Sequence, residues 1–314
     1  MNPFHYQTKA EANMANFSYE IFAQVVTTKN FGQAAKVLNV TPSAVSHAIS
    51  QLENDLGFPL FIRNRTGVEI TPDGQQILPV IQNILNSESQ LQQVADQIRG
   101  LNSGTIRIGA FSSVCINWLP TIIQHFKKKY PGVDVTITQG TFSEIAEMTR
   151  IGTVDIGFAA LPVDAQLTTE SLVADPIYCV TPANFVPKNK TYITTDDIGD
   201  YRFILQQIDY DRDTKKTLDR YAVAPNALSY SIDDQSILSM VESGLGFGIL
   251  PQLALQKLTG DVNVYPFSHQ YYRTICLSVN KTQAEAPSTK LMLTEIHDYL
   301  ANRYQADYLG QPVK

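Results

Sequence analysis

Ser43, Ser46, His47 and Ser50 fall on one face of a helical repeat whose other face carries Val45, Ala48, Ile49, Leu52 and Leu56. Hydroxyls donate to or accept from any base, and an imidazole donates to a purine N7 or O6. None of the four is bulky enough to keep a helix out of a major groove. The same set also suits the plain solvent face of a stable helix. Just beyond it, Arg63 and Arg65 offer guanidinium forks suited to phosphate or to a narrow minor groove, or else to a solvated hairpin. The chemistry implied is recognition. No Ser-His-Asp, paired-carboxylate or metal-ligand arrangement with recognisable spacing accompanies these residues, so no catalytic role and no metal or cofactor is expected.

Two short helices and a β-wing must position them. Phe31, Ala34, Ala35 and Leu38 repeat at helical spacing behind Asn30, a suitable N-cap. Asn39-Val40 breaks the pattern. Thr41-Pro42 starts the next helix, with a hydroxyl cap and a proline at the first helical position. The helix N-termini at Asn30 and Thr41 suit phosphate contact, and Pro42 fixes the second helix start beside it.

The segment AAKVLNVTPSAVSHAISQLENDLGFPLFIRNRTGVEITPDG resembles the winged helix-turn-helix of LysR-type transcriptional regulators. The family often shows A-A-x-x-L, T/S-x-x-A-V-S-x-x-I-x-x-L-E, L-F-x-R and L-T-x-x-G. Pro42-Ser43 stands where Gln-Pro is frequent, His47 where Arg is frequent, and Ile70 in place of a usual Leu. These departures bear on which bases are read. The resemblance implies a double-stranded promoter DNA partner, a small-molecule effector, and a homo-oligomer: a dimer, or a tetramer built as a dimer of dimers. RNA polymerase is a further candidate partner.

The chain has 314 residues, a net charge of −6, 44% hydrophobic and 17% charged residues. It is long enough for two or three domains, and its composition is that of an ordinary globular protein. Residues 1–72 balance Lys9, Lys29, Lys36, Arg63 and Arg65 against Glu11, Glu20, Glu53, Asp55 and Glu69. Phosphate contact must therefore rest on a few placed groups, and a dimer doubles them. Cys115, Cys179 and Cys276 lie far apart with no CxxC, which argues against zinc and against a disulfide framework. No apolar run is long enough to span a membrane and no signal core is visible, so the expected compartment is the cytoplasm. Residues 1–16 read as an extension before the first helix near Phe17, with Met14 a candidate start.

A long helix is expected from Thr71 to about Arg99. Ile77, Ile84, Leu91 and Ile98 recur every seven residues, with Val80/Ile81 and Val94/Ala95 completing a seam. Ile77, Ile81, Ile84, Leu91 and Ile98 are the dimerisation candidates; a helix packed on its own domain is the rival reading. Gly100–Gly104 reads as a hinge.

Beyond the hinge, strand and helix patterns alternate, which predicts a mainly parallel sheet with helices on its faces. Strands are expected at 105–110, 133–138, 155–160, 177–181, 202–205, 228–232 and 274–279, and helices at 114–130, 143–151, 235–242, 253–258 and 288–304. The signposts GTIRIGA, VDIGFA, ADPIYCVTP and ESGLGFGILP, in this order, resemble the LysR effector domain. The resemblance implies a periplasmic-binding-protein-like pair of α/β subdomains around a ligand cleft. The expected fold is thus α/β overall: a winged helix at 17–72, a linker helix at 73–100 and an effector domain at 101–304. Within the last, subdomain I covers 101–162 and 267–304, subdomain II covers 163–266, and a tail follows at 305–314.

The turn at Ser112, Ser113 and Val114 joins a strand to a helix start, which suits an anionic effector, although serine there is also an everyday N-cap. By fold analogy Thr141, Phe158, Gln206, Gly246 and Phe247 face it. Cys115 follows the same turn and reads either as a redox-sensing thiol or as a small buried hydrophobe. Gly244-Leu-Gly246-Phe-Gly248 is not a dinucleotide loop, because it follows a helix and leads into Ile249-Leu250-Pro251. A solute-binding protein would account for the second half alone and leave the first hundred residues without a purpose.

Overall fold

The computed structural model describes residues 9–64, 67–163, 167–199, 201–205, 212–221, 227–229, 233–257 and 259–310. Three helices open the chain: α1 (Lys9–Thr28), α2 (Phe31–Val37) and α3 (Pro42–Leu56). Asn30 caps α2 by accepting from Gln33 N, and Thr41 caps α3 by accepting from Ala44 N. Gly57, at φ 83°, ends α3 in the left-handed region where a side chain would be strained. The antiparallel hairpin β1 (Phe61–Asn64) and β2 (Gly67–Ile70) forms the wing. Ile21, Phe22, Val25, Val45, Ile49 and Leu60 fill the core beneath. The first helix begins at Lys9 rather than near Phe17, so the expected extension is in part helical.

The helix α4 (Pro72–Ile98) runs 27 residues from a Thr71 cap. It leads to β3 (Gly104–Ala110), α5 (Ser112–Asn117), α6 (Leu119–Lys129), β4 (Val133–Gln139), α7 (Phe142–Ile151) and β5 (Ile156–Ala160). Next come β6 (Thr169–Pro182), α8 (Thr195–Ile198), β7 (Phe203–Leu205), α9 (Arg212–Arg220), β8 (Ala227–Ser229), α10 (Asp234–Glu242), β9 (Phe247–Pro251) and α11 (Gln252–Leu255). The chain closes with β10 (Val262–Val279) and α12 (Pro287–Tyr304).

The strands of the second half lie in one eight-stranded order, β4-β3-β5-β10-β6-β9-β7-β8. β3 pairs parallel with β4 and β5, and β7 pairs parallel with β8 and β9. Between these two parallel groups, β6 and β10 run antiparallel to one another and cross from one subdomain to the other. The C-terminal end of β10 pairs with β5, while Ile177–Val180 of β6 pairs with β9. Trp118, Phe126, Ile156, Phe158 and Met292 centre one core; Phe203, Phe247 and Ile249 centre another across the crossing strands.

Several expected boundaries move. β6 and β10 are far longer than the strands expected at 177–181 and 274–279, because their pairing is long-range and their sequences include buried polar residues that break the apolar signal. The helix expected at 114–130 breaks at Trp118 and restarts at Leu119-Pro120. Phe247–Pro251, outside every expected strand, is a fully buried strand.

Candidate functional site

On α3, Ser43, His47 and Ser50 are exposed and Ser46 is half-buried, while Val45, Ile49 and Leu52 are buried beneath. The Thr41 hydroxyl takes Ala44 N at 3.2 Å and lies 3.0 Å from Ser43 Oγ, so the helix start is locked by its own sequence. The Glu53 carboxylate accepts from Leu60 N at 2.7 Å and Phe61 N at 3.2 Å, which ties the wing to the end of α3. Arg63 folds back over the helix pair. Its guanidinium lies 4.5 Å from the Phe31 ring centre, and Nη2 donates to Ser46 Oγ at 3.1 Å. Arg63 thus joins the wing to the polar face of α3. Arg65 lies outside the described residues.

The linker helix has two faces of opposite character. Ile84, Leu91 and Ile98 are exposed, at 40%, 70% and 82%, alongside Val80 and Val94. Ile81 is a correction to the seam: it is 2% exposed within the winged-domain core, and Ile77 packs partly against that same core. A helix turns 100° per residue, so Ile81 sits off the line of the other four. The opposite face is also a correction to the reading of the helix as an isolated linker. Gln82, Asn86 and Gln93 are buried against the second half of the chain. Asn86 Nδ2 donates to Gly152 O at 2.9 Å, and its Oδ1 accepts from Arg107 Nη2 at 2.8 Å and Gln82 Nε2 at 3.0 Å. Arg107 in turn pairs with Asp155, whose carboxylate also accepts Arg107 N at 2.7 Å. Further along, Gln93 Oε1 accepts from Ser288 Oγ at 2.6 Å. Gly104, at φ 129°, passes so close to Gln93 that a Cβ would lie 2.8 Å from its side chain.

At the expected effector turn, α5 is a single short helix, and its residues are already engaged. Ser113 is 1% exposed, and its hydroxyl accepts from Arg273 Nη2 at 2.9 Å. Arg273, itself 1% exposed, donates Nε to Asp175 at 2.8 Å and lies over Phe111. Asp175 and Arg273 are register partners on the two crossing strands, and Asp175 also accepts from Leu253 N at 2.9 Å. Asn117 Nδ2 donates to Leu253 O at 2.7 Å. One buried ion pair thus joins the turn after β3, both crossing strands and α11. The Asn117 Oδ1 beside this junction, and the hydroxyl of Tyr271, whose ring packs against Tyr221 and Phe267, are buried with no partner among the described residues.

Several effector candidates are not cleft groups. Val114 and Phe158 are fully buried, with Phe158 edge-on to Trp118 in the core, because β5 is covered on both faces. Phe247 is also fully buried and stacks on Tyr201 at 4.3 Å. Gly246 is pressed against Arg202 O, where a Cβ would lie 2.4 Å away. Thr141 caps α7 in a reciprocal box with Glu144. Ser112 is half-buried at the mouth of the turn. Gln206 lies outside the described residues. The Cys115 thiol is half-buried, donates to Ala110 O at 3.5 Å, and is pushed up to about 11 by burial, which opposes a redox-sensing role.

Asn86, Arg107, Asp155, Asp175 and Arg273 escaped the sequence reading. Amides recurring at 82, 86 and 93 opposite an apolar seam were the one visible signal; the ion pairs join residues too far apart in sequence to announce themselves.

Two family models match the chain: "Bacterial regulatory helix-turn-helix protein, lysR family" over residues 18–75, and "LysR substrate binding domain" over 99–301. The probable HTH-type transcriptional regulator LrrA of Synechococcus elongatus is 32% identical, covering 86% of this chain and 92% of that protein. The uncharacterized HTH-type regulator YvbU of Bacillus subtilis is 30% identical, covering 87% and 94%. Among solved structures, a full-length OxyR variant from Pseudomonas aeruginosa superimposes with a TM-score of 0.70 at 22% identity, covering 90% of this chain and 97% of that one. CbnR in complex with its target DNA gives 0.61 at 18%, covering 90% and 99%.

Proposed function

Because the chain belongs to the LysR family of DNA-binding transcriptional regulators, and is therefore not an enzyme, we propose a residue-level account of how it reads DNA and senses its effector. Ser43, Ser46, His47 and Ser50 read base edges from α3, with Asn30, Thr41 and Pro42 at the helix starts beside the phosphates and Arg63 and Arg65 on the wing. The observation that carries this is the Thr41-capped helix with Ser43, His47 and Ser50 exposed on its front and Val45, Ile49 and Leu52 buried behind. The solute-binding alternative is set aside, since a lysR-family helix-turn-helix occupies residues 18–75.

The exposed Ile84, Leu91 and Ile98 face of α4 pairs two copies, and two such dimers form the tetramer. The effector is a small anion that enters between the subdomains at the mouth marked by Ser112. It acts by changing the Asp175–Arg273 junction, on which both subdomains hang. No helix among the described residues is long and apolar enough to cross a membrane, and we place the protein in the cytoplasm, where its DNA and RNA polymerase are. A gel shift and footprint on DNA upstream of the gene test the reading: two half-sites protected together support it, and no sequence-specific shift refutes it.

A further inference from the structure

A second cleft, of about 480 Å³, opens where the linker helix meets subdomain I. Leu277 and Val279 at the end of β10, with Leu167, supply its apolar lining, and Asn83 of α4 lines it from the linker side. None of the junction residues around Ser113 lines it, so it is separate from the inter-subdomain cleft. The volume falls in the range of small-molecule pockets, and the lining is polar around an apolar strip of Leu167, Leu277 and Val279.

The charges at the rim are unequal. Arg150 and Lys281 are cations, and Glu170 is the one carboxylate among the lining residues. Glu147 takes the Arg150 guanidinium in a two-point contact at 2.6 and 2.7 Å, and Glu170 lies 3.6 Å from His297 Nε2. Lys281 is exposed and has neither an ion-pair nor a hydrogen-bond partner among the described residues. Among the described residues the cleft therefore offers Lys281 as an unpaired cation beside an apolar strip.

We propose that this cleft is a ligand site for a small amphiphilic anion, its carboxylate on Lys281 and its apolar part on Leu277 and Val279. The site bears directly on the linker. Thr282, next to Lys281, donates to Asn83 Oδ1 at 2.9 Å, and Gln283 Nε2 donates to Asn86 O at 3.3 Å. Asn280 Nδ2 reaches Thr149 O at 3.0 Å on the far wall. A ligand that binds the turn at 280–284 in this arrangement binds the docked linker better than an undocked one, and so favours docking by its difference in affinity.

Calorimetric titration of the full chain tests the site, with hexanoate, hexanol and hexylammonium as probes. Hexanoate should bind saturably, at least about tenfold tighter than hexanol, and hexylammonium should not bind. Lys281→Glu should weaken hexanoate by about tenfold, one decade of Kd, while Ser113→Ala leaves it unchanged. Saturating hexanoate should also slow hydrogen exchange at the amides of 83–87 and 280–284. Absence of saturable hexanoate binding overturns the proposal. So does binding that survives Lys281→Glu but is lost in Ser113→Ala, which would move the ligand to the inter-subdomain cleft. Because the readout is binding to the free protein, neither outcome depends on DNA recognition.

Discussion

Asn86 on the linker helix and Gly152 at the end of α7 are joined by a 2.9 Å hydrogen bond across 66 residues of sequence. The bond is buried, and Gly152 sits at φ 94° with so little room that a Cβ would lie 2.6 Å from Asn86 Nδ2. The linker is therefore fastened to the effector domain by amides, while its first turns bury Leu78 and Ile81 in the winged-domain core and Ile84, Leu91 and Ile98 face outward.

Asn86→Leu should destabilise the chain by about 1–3 kcal/mol, because Gly152 O and an Arg107 N–H lose their buried partner. Urea denaturation followed by circular dichroism measures it. A loss below a few tenths of a kcal/mol would show that the joint contributes nothing.

Leu91→Glu combined with Ile98→Glu should leave the monomer folded, since both side chains are mostly exposed. Pairing through that face should fail. Sedimentation velocity should report the monomer with an unchanged far-ultraviolet spectrum. An intact dimer would place the self-association surface elsewhere.

Ser46→Ala and His47→Ala should each weaken specific DNA binding by about 1 kcal/mol and relax the sequence preference at one base pair, since they act on base edges. Arg63→Ala should instead lower affinity for all sequences and reduce the salt slope by about 1. Ser46→Ala also frees Arg63 from its hydroxyl anchor, so the double variant should be non-additive. Gel shifts on operator and scrambled DNA at two salt concentrations separate the cases.

With its pKa near 11, the Cys115 thiol is ionised in roughly one molecule in ten thousand at pH 7. Peroxide treatment should leave DNA binding unchanged, and Cys115→Ser should behave as the parent in the same gel shift. A footprint that shifts with peroxide and not in Cys115→Ser would restore the redox reading.

His297 is buried against the Tyr308 hydroxyl, and burial lowers its pKa below the ordinary 6.5, against the opposing pull of Glu170. The folded state therefore favours neutral imidazole, while the unfolded chain binds the proton more readily. The resulting stability is present above pH 6.5 and is lost as pH falls through the lowered folded value. Thermal melts from pH 8 to 5 should show a steeper acid decline for the parent than for His297→Gln. Parallel curves would show that His297 does not titrate across folding.

Much of this molecule is local in origin and was visible in the sequence. Asn30, Thr41-Pro42 and Thr71-Pro72 mark helix starts within a few residues, so the helix-turn-helix and the linker could be read directly. The polar front of α3 and the apolar line through Ile84, Leu91 and Ile98 follow from helical periodicity alone. What periodicity cannot supply is which neighbour a face meets. Ile81 fits the seam by spacing and is core; Phe158 and Phe247 fit the cleft by fold analogy and lie inside covered strands. Asp175 and Arg273 became a junction only when two strands ninety-odd residues apart paired in one register. Capping and amphipathic spacing are short-range and written in the residue order; long-range strand pairing and the burial of Gln82, Asn86 and Gln93 were decided by tertiary packing.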